Sequence, residues 1–292
     1  MATPLQLIPP ALLEPTNLWV FNWLTPIVGS IIIAVALIDA LRTRRLTWGF
    51  LFLINSMLVY WMETIGDWGQ HLIYSPAFAT HHLLDWLPLK TPYDPVFMPF
   101  AYAIYWTVHA LAVLWVGQLL VKRYNWSMLK AIVVSAIPVN YSWDLLVEGT
   151  ATAMGWWTYD PGIGPVLEWP NGGRITLLWT VGLMCTWPNL IAYWGGKPPV
   201  RGLNHLERFF ALERFTRPKQ AIAVSAGTAR TKAQAYDDAL NYEITIPRWK
   251  FETLRFMAWF VGFQVSFFVF LIVPLVVFRW LAGDAAFSPY LP

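Results

Sequence analysis

Long apolar runs broken by short polar punctuation organise this chain. A helix needs ~20 apolar residues to cross a ~30 Å hydrocarbon core, and about six runs approach that length between charged or Pro/Gly-rich breaks. They cover residues 19–41, 47–66, 97–121, 129–149, 174–194 and 256–280. Arg42, Arg44 and Arg45 stop the first, and Lys122 and Arg123 stop the third. The pattern predicts an all-α fold, a single polytopic bundle of about six transmembrane helices, with Trp-rich outer loops and one long cytoplasmic loop over 195–252.

Composition agrees with lipid as the solvent. Of 292 residues, 57% are hydrophobic and 13% charged, against about 45–50% apolar in soluble domains. The 19 Trp and 12 Tyr suit amphipathic rings gathered at the two headgroup layers. Lys and Arg crowd the loops after the first, third and fifth runs, while the opposite side has Lys90 and Arg174 beside Asp67, Asp85, Asp94, Asp160 and Glu168. Positive residues are retained on the cytoplasmic side, so the expected location is the cell membrane, multi-pass, with both termini outside. The net charge of +3 follows from that topology and does not point to nucleic acid. No cleaved signal is expected from Met1 to Thr16, which carries no Lys or Arg. Cys185 stands alone and forms no internal disulfide.

The long loop has two readings. Arg208, Arg214, Arg217 and Lys219 among Phe209, Phe210, Leu212 and Phe215 suit an amphipathic helix on anionic lipid, and a solvated linker explains the same charges; residues 221–232 read as flexible. On the other side, 67–95 and 155–173 are rich in Trp, Pro and Gly and read as a lid over the helix ends.

Ionisable side chains inside a bilayer cost about 2.5–3.5 kcal/mol each and mark sites. In the fourth run Asn140, Asp144 and Glu148 recur at i, i+4 and i+8, one above another on a helix. In the second, Glu63, Asp67 and His71 repeat the spacing if the helix continues past Gly66, with Asn55 two turns earlier. The third contributes Tyr102, Tyr105 and His109. Basic partners at membrane depth are almost absent, Arg174 and Arg255 lying at helix ends. A shared cavity is expected in which one carboxyl donates a proton while a neighbour acts as base. The packing alternative, a buried acid held by an Arg or a helix end, has few cations to draw on. Asn189 and Gln264 read as interhelical hydrogen bonds.

A membrane oxidase holding a metal on Asp67, His71 and one of His81 or His82 has suitable ligand types, but five His are too few for a His-rich di-iron hydroxylase. No Gly-rich phosphate loop, nucleophile elbow or paired Cys motif is present. Chemistry without a metal or other cofactor is the simplest expectation.

Three stretches together resemble the AveC-like spirocyclase family of actinobacterial membrane proteins: Asn55 to Glu63, Trp143-Asp144-Leu-Leu-Val-Glu148, and Gly155-Trp-Trp-Thr-Tyr159-Asp-Pro-Gly162. The likeness runs from about residue 19 to 280, with Glu63-Thr64 where that family has Asp-Pro. It implies dehydration and closure of a lipophilic dihydroxy-ketone to a spiroketal. Asp144 and Glu148 would divide the acid and base roles, Glu63 and Asp67 would tune them, and Trp143, Trp156, Trp157 and Tyr159 would shield the cation. Those aromatics also suit an interfacial belt. Asn140, Tyr105 and His109 complete the expected substrate site.

The acid stripes point to cofactor-free acid–base chemistry, and with the resemblance they imply a cyclase or dehydratase for a polyketide- or isoprenoid-like substrate. Its partners are the lipid bilayer and that small substrate, with a homo-oligomer or larger membrane complex open. The competing classes are a non-enzymatic lipid or metabolite binder, or accessory subunit, and the metal oxidase.

Overall fold

The computed structural model describes residues 8–159, 164–178, 186–196, 202–219 and 240–282. Cys185, the middle of the fifth expected span, Asp160 and the whole of the expected flexible stretch 221–232 lie outside them. The described part is mostly helical with a few short strands. Among the described residues four helices are long and apolar enough to cross a membrane: Val20–Thr43, Trp48–Gln70, Met98–Tyr124 and Arg248–Leu281.

A π turn over Val20–Leu24 runs into α1 (Thr25–Thr43), which exposes Ile31, Val35 and Leu41, an apolar outer surface suited to lipid. The Arg44 backbone closes α1 in the left-handed region at φ 53°, and Thr47 then caps α2 (Trp48–Leu58) by accepting from Phe50 N at 3.3 Å. After a short 3-10 turn comes α3 (Glu63–Gln70), which ends where His71 adopts φ 56°. The helix therefore continues past Gly66, carrying Glu63 and Asp67 one turn apart, and releases His71 from their face. Next come α4 (Met98–Tyr124) and α5 (Met128–Ala153), the latter capped by Ser127. Pro138 lies inside α5; with no N–H to donate it breaks the helical ladder one half-turn before Asn140.

α6 (Trp187–Trp194) packs on α4 and α5. The short α7 (His205–Phe209) leads to β5 (Thr216–Pro218), paired antiparallel with β6 (Tyr242–Ile244). The closing helix comprises α8 (Arg248–Phe267), a π turn and α9 (Val273–Ala282). It starts well before Phe256, because the charges that made this stretch read as loop are absorbed inside the protein. Arg45 donates to Glu252 at 3.1 Å, Arg255 donates to Glu207 at 2.5 Å, and Trp259 Nε1 donates to the same Glu207 oxygen at 3.0 Å. Glu207 and Asn204 also form a reciprocal capping box on α7. Residues 202–219 and 240–247 are thereby fastened to α8, with Leu203, Leu212, Phe251 and Ala258 as a small separate core.

At the other end of the bundle the two Trp-rich stretches meet. β1 (Leu72–Tyr74) pairs antiparallel with β2 (Trp157–Tyr159) in the register Leu72↔Tyr159, Ile73↔Thr158, Tyr74↔Trp157. A second ladder joins β3 (Val166–Glu168) to β4 (Arg174–Thr176). Gly155, at φ 69°, turns the chain from α5 into β2 so closely against the Ala11 carbonyl that a Cβ would collide with it. The main core lies between the two ends, where Trp187 meets Trp106, Phe263 and Phe267 edge to face and Trp259 stacks on Phe263. With lipid outside, such rings hold the helices together through close van der Waals packing and not by exclusion from water.

Candidate active site

Helices α3, α4, α5 and α9 and strands β1, β2 and β4 build the site. α3 is held by close approach to α9: a Cβ on Gly69 would lie 2.9 Å from the Leu275 backbone carbon, and one on Gly66 3.0 Å from Ile272. Arg279 of α9 places its guanidinium 3.8 Å above the Trp68 ring and donates to the Trp68 carbonyl. So fixed, α3 presents Glu63 to α4, where the Tyr102 hydroxyl donates to Glu63 Oε2. Asp67, 1% exposed, accepts from Gln70 Nε2 at 3.3 Å and lies within side-chain hydrogen-bonding reach of Glu63.

α5 supplies the facing wall. The period-2 alternation of β1 and β2 turns Leu72, Tyr74, Trp157 and Tyr159 to one side and sends Ile73 to the other, against Leu12. Two donors thereby converge on one carboxylate oxygen: Trp157 Nε1 at 2.6 Å and Tyr159 OH at 2.7 Å from Glu148 Oε2. Burial, followed by the neighbouring carboxyls, raises the phenols of Tyr159 and Tyr74 well above their usual value, so both remain neutral hydrogen-bond donors.

Between these walls is a cavity of about 120 Å³, on the order of eight times the space one water needs on the same measure. Glu63, Asp144, Glu148, Tyr74, Tyr102, Tyr105, Trp157 and Tyr159 are its polar and aromatic lining residues, and Phe21, Leu72, Phe97, Met98, Leu271 and Leu275 line it with apolar surface. No Lys or Arg is among its described lining residues.

Of the residues expected from sequence, Glu63, Tyr105, Asp144, Glu148, Trp157 and Tyr159 border this cavity and the others stand behind it. Asp67 backs Glu63. Asn140 bonds its own helix, donating to the Ala136 carbonyl at 2.5 Å. His109 is fully buried and stacks on Trp143, the ring planes 9° apart and the centroids 5.2 Å apart; together they form a packed layer behind the cavity wall. Trp156 points into the lid, donating to the Thr16 carbonyl at 2.5 Å and packing on Phe21. Asn140, Trp143, His109 and Trp156 are thus not among the residues that line the cavity. Two buried basic groups lie toward helix ends: Arg279 on α9, 3% exposed, holds α3, and Arg255, 6% exposed, belongs to the network at the far end of the bundle.

Sequence reasoning missed Tyr74, Gln70 and Phe21. Tyr102 it noted without assigning a role, because the partner of Tyr102 is fixed by the crossing of α3 and α4 and not by spacing along one helix. The ligand set Asp67, His71 and His81 is not assembled: among the described residues no three His, Cys, Asp or Glu side chains are grouped to hold an ion, and His82 is turned to Asp85 at 3.0 Å. No family model, curated protein or solved structure matches this chain.

Proposed function

We propose that this chain is a membrane-embedded acid–base catalyst, needing no cofactor, that dehydrates and cyclises a lipophilic polyketide- or isoprenoid-like substrate. The observation that carries the reading is the meeting of Glu63, Asp144 and Glu148 on one cavity whose remaining lining is mostly apolar and aromatic and whose described lining includes no cation. The resemblance to the AveC-like spirocyclases favours closure of the spiroketal type.

The hydrogen bonds divide the roles. Two carboxyl groups as close as Glu63 and Asp67 share a proton between them, since both cannot be ionised at contact distance, and that pair is the donor. Glu148 already accepts two hydrogen bonds on Oε2 and is the acceptor, with Asp144 one turn away on the same helix. In the reaction the pair protonates a substrate hydroxyl, the C–O bond breaks and water leaves. The resulting oxocarbenium-like centre is stabilised by Glu148 and by the π faces of Trp157, Tyr102 and Tyr105. A second substrate hydroxyl closes the ring and gives its proton to Glu148. Substrate and product differ by one water, and the enzyme is left with one proton fewer on the pair and one more on Glu148.

Counting of basic loops places the lid end outside and makes the bilayer the medium from which the substrate arrives. The test is metabolite profiling of cells carrying wild type, Glu63→Gln or Glu148→Gln protein at equal membrane levels. A compound heavier than the wild-type product by one water, accumulating only with the variants, is expected. Unchanged profiles would overturn the reading and leave a binding or accessory role.

A further inference from the structure

If Glu63 and Asp67 are the acid, each turnover strips a proton from a pair that is buried, and the substrate cavity is then filled by product. A second way out to water lets the pair reset while product still fills that cavity. Glu63 borders not one cavity but two. On the side away from Glu148 is a small space of about 10 Å³, close to the volume that holds one water. It is enclosed by Tyr60, Glu63, Asp67, His81, Leu84 and Asp94 among others.

Asp94 is 6% exposed and its Oδ2 accepts from Lys90 Nζ at 2.9 Å. The same ammonium lies 3.0 Å from Asp85 Oδ1. Asp85 is half exposed at the surface, and its other oxygen meets His82 Nδ1 at 3.0 Å. From exposed to buried the order is therefore His82, Asp85, Lys90, Asp94, then the small cavity, then Asp67 and Glu63. His81 also faces the small cavity, and its backbone N–H donates to the Asp94 carbonyl at 2.9 Å. The remaining titratable groups around the pair are Tyr60, Tyr74 and Tyr102, Glu148 from α5 across the main cavity, and Arg279 from α9 turned onto Trp68. The segment carrying Asp94 is tied down beside α3, with Thr91 N donating to the Thr64 carbonyl at 3.2 Å.

We propose that the Glu63–Asp67 pair exchanges its proton with water at the lid end through this small cavity, with Asp94 as the relay and Lys90 and Asp85 holding it in place. The proposal rests on the acid role given to the pair above. A proton from bulk water reaches Asp94, passes through the single water to Asp67 and is shared with Glu63. Glu148 returns its own proton to water when product leaves, so the cycle closes with no net proton taken up. Asp94 acts through Asp67 and is a positioning and relay residue, not one that touches substrate.

The experiment follows the protonated-carboxyl carbonyl stretch by infrared spectroscopy of the full-length protein in nanodiscs, after rapid transfer from H₂O to D₂O. The band belonging to the pair is the one lost in both Glu63→Gln and Asp67→Asn. Its deuterium shift is expected to slow about 100-fold in Asp94→Asn, to recover in Asp94→Glu, and to slow likewise in Leu84→Phe, which fills the small cavity without changing charge. Backbone amide exchange, recorded in the same spectra, is expected to stay unchanged. An unaltered band shift in both Asp94→Asn and Leu84→Phe overturns the relay and leaves the acid role intact. Absence of any band lost in Glu63→Gln and Asp67→Asn overturns the acid role and the relay together. Slowing matched by equal slowing of the amides also overturns the relay, since general access and not the small cavity would then set the rate.

Discussion

The two ends of the bundle each bury a cluster of acids, and they solve the same electrostatic problem in opposite ways. At the basic end, both oxygens of Glu207 and both of Glu252 have donors: Arg255, Trp259 and the Asn204 N–H for the first, and Arg45, Arg255 and the Leu46 N–H for the second. At the lid end the donors to Glu63 and Glu148 are neutral, namely Tyr102, Trp157 and Tyr159, and a cavity opens beside them. Cations finish a charge and make it structural. Neutral donors orient a carboxyl and leave its proton free to move.

The comparison breaks first where its contrast is greatest. Arg255→Met strands Glu207 and should cost about 3–5 kcal/mol, read by thermal unfolding in detergent and by folded yield in membranes. Glu148→Gln should cost within about 1 kcal/mol on the same scale, yet lower product formation about 10²–10⁴-fold; equal destabilisation by the two substitutions would erase the distinction between the clusters. Gly69→Ala pushes α3 from α9 and should cost about 1–3 kcal/mol, while the control Gly49→Ala, whose Cβ meets nothing within 4 Å, leaves stability near that of wild type.

The smallest effect is at Tyr159. Its removal in Tyr159→Phe should cost about 1 kcal/mol near neutral pH. Because its phenol is raised above its unfolded value of about 10, its contribution is complete below that pH and fades as pH rises through the folded value. Wild type should therefore lose stability at strongly alkaline pH more steeply than Tyr159→Phe, and parallel pH curves would show that the phenol is not enclosed.

Much of the helical framework was legible because apolar length is a strong signal. The first three expected spans, 19–41, 47–66 and 97–121, differ by a few residues from Val20–Thr43, Trp48–Gln70 and Met98–Tyr124. The start of α8 was not, since Arg248, Glu252 and Arg255 look like loop until Arg45 and Glu207 are placed beside them. The stripe of Asp144 and Glu148 and the pair Glu63 and Asp67 were legible from a spacing of four. Tyr74 and the pairing of β1 with β2 were not, because three-residue strands carry no periodicity. Spacing likewise could not tell Tyr105, which borders the cavity, from His109 one turn further along α4.

The ladder between β1 and β2 also orders events in time. Its two halves are separated in the chain by the whole of α4 and α5, so a ribosome must deliver both of those helices before Tyr159 can reach Glu148. Until then the carboxyl lacks its Trp157 and Tyr159 donors. The cavity itself closes later still, when Leu271 and Leu275 of the last helix are added, so a chain truncated before them holds the acids without their full enclosure.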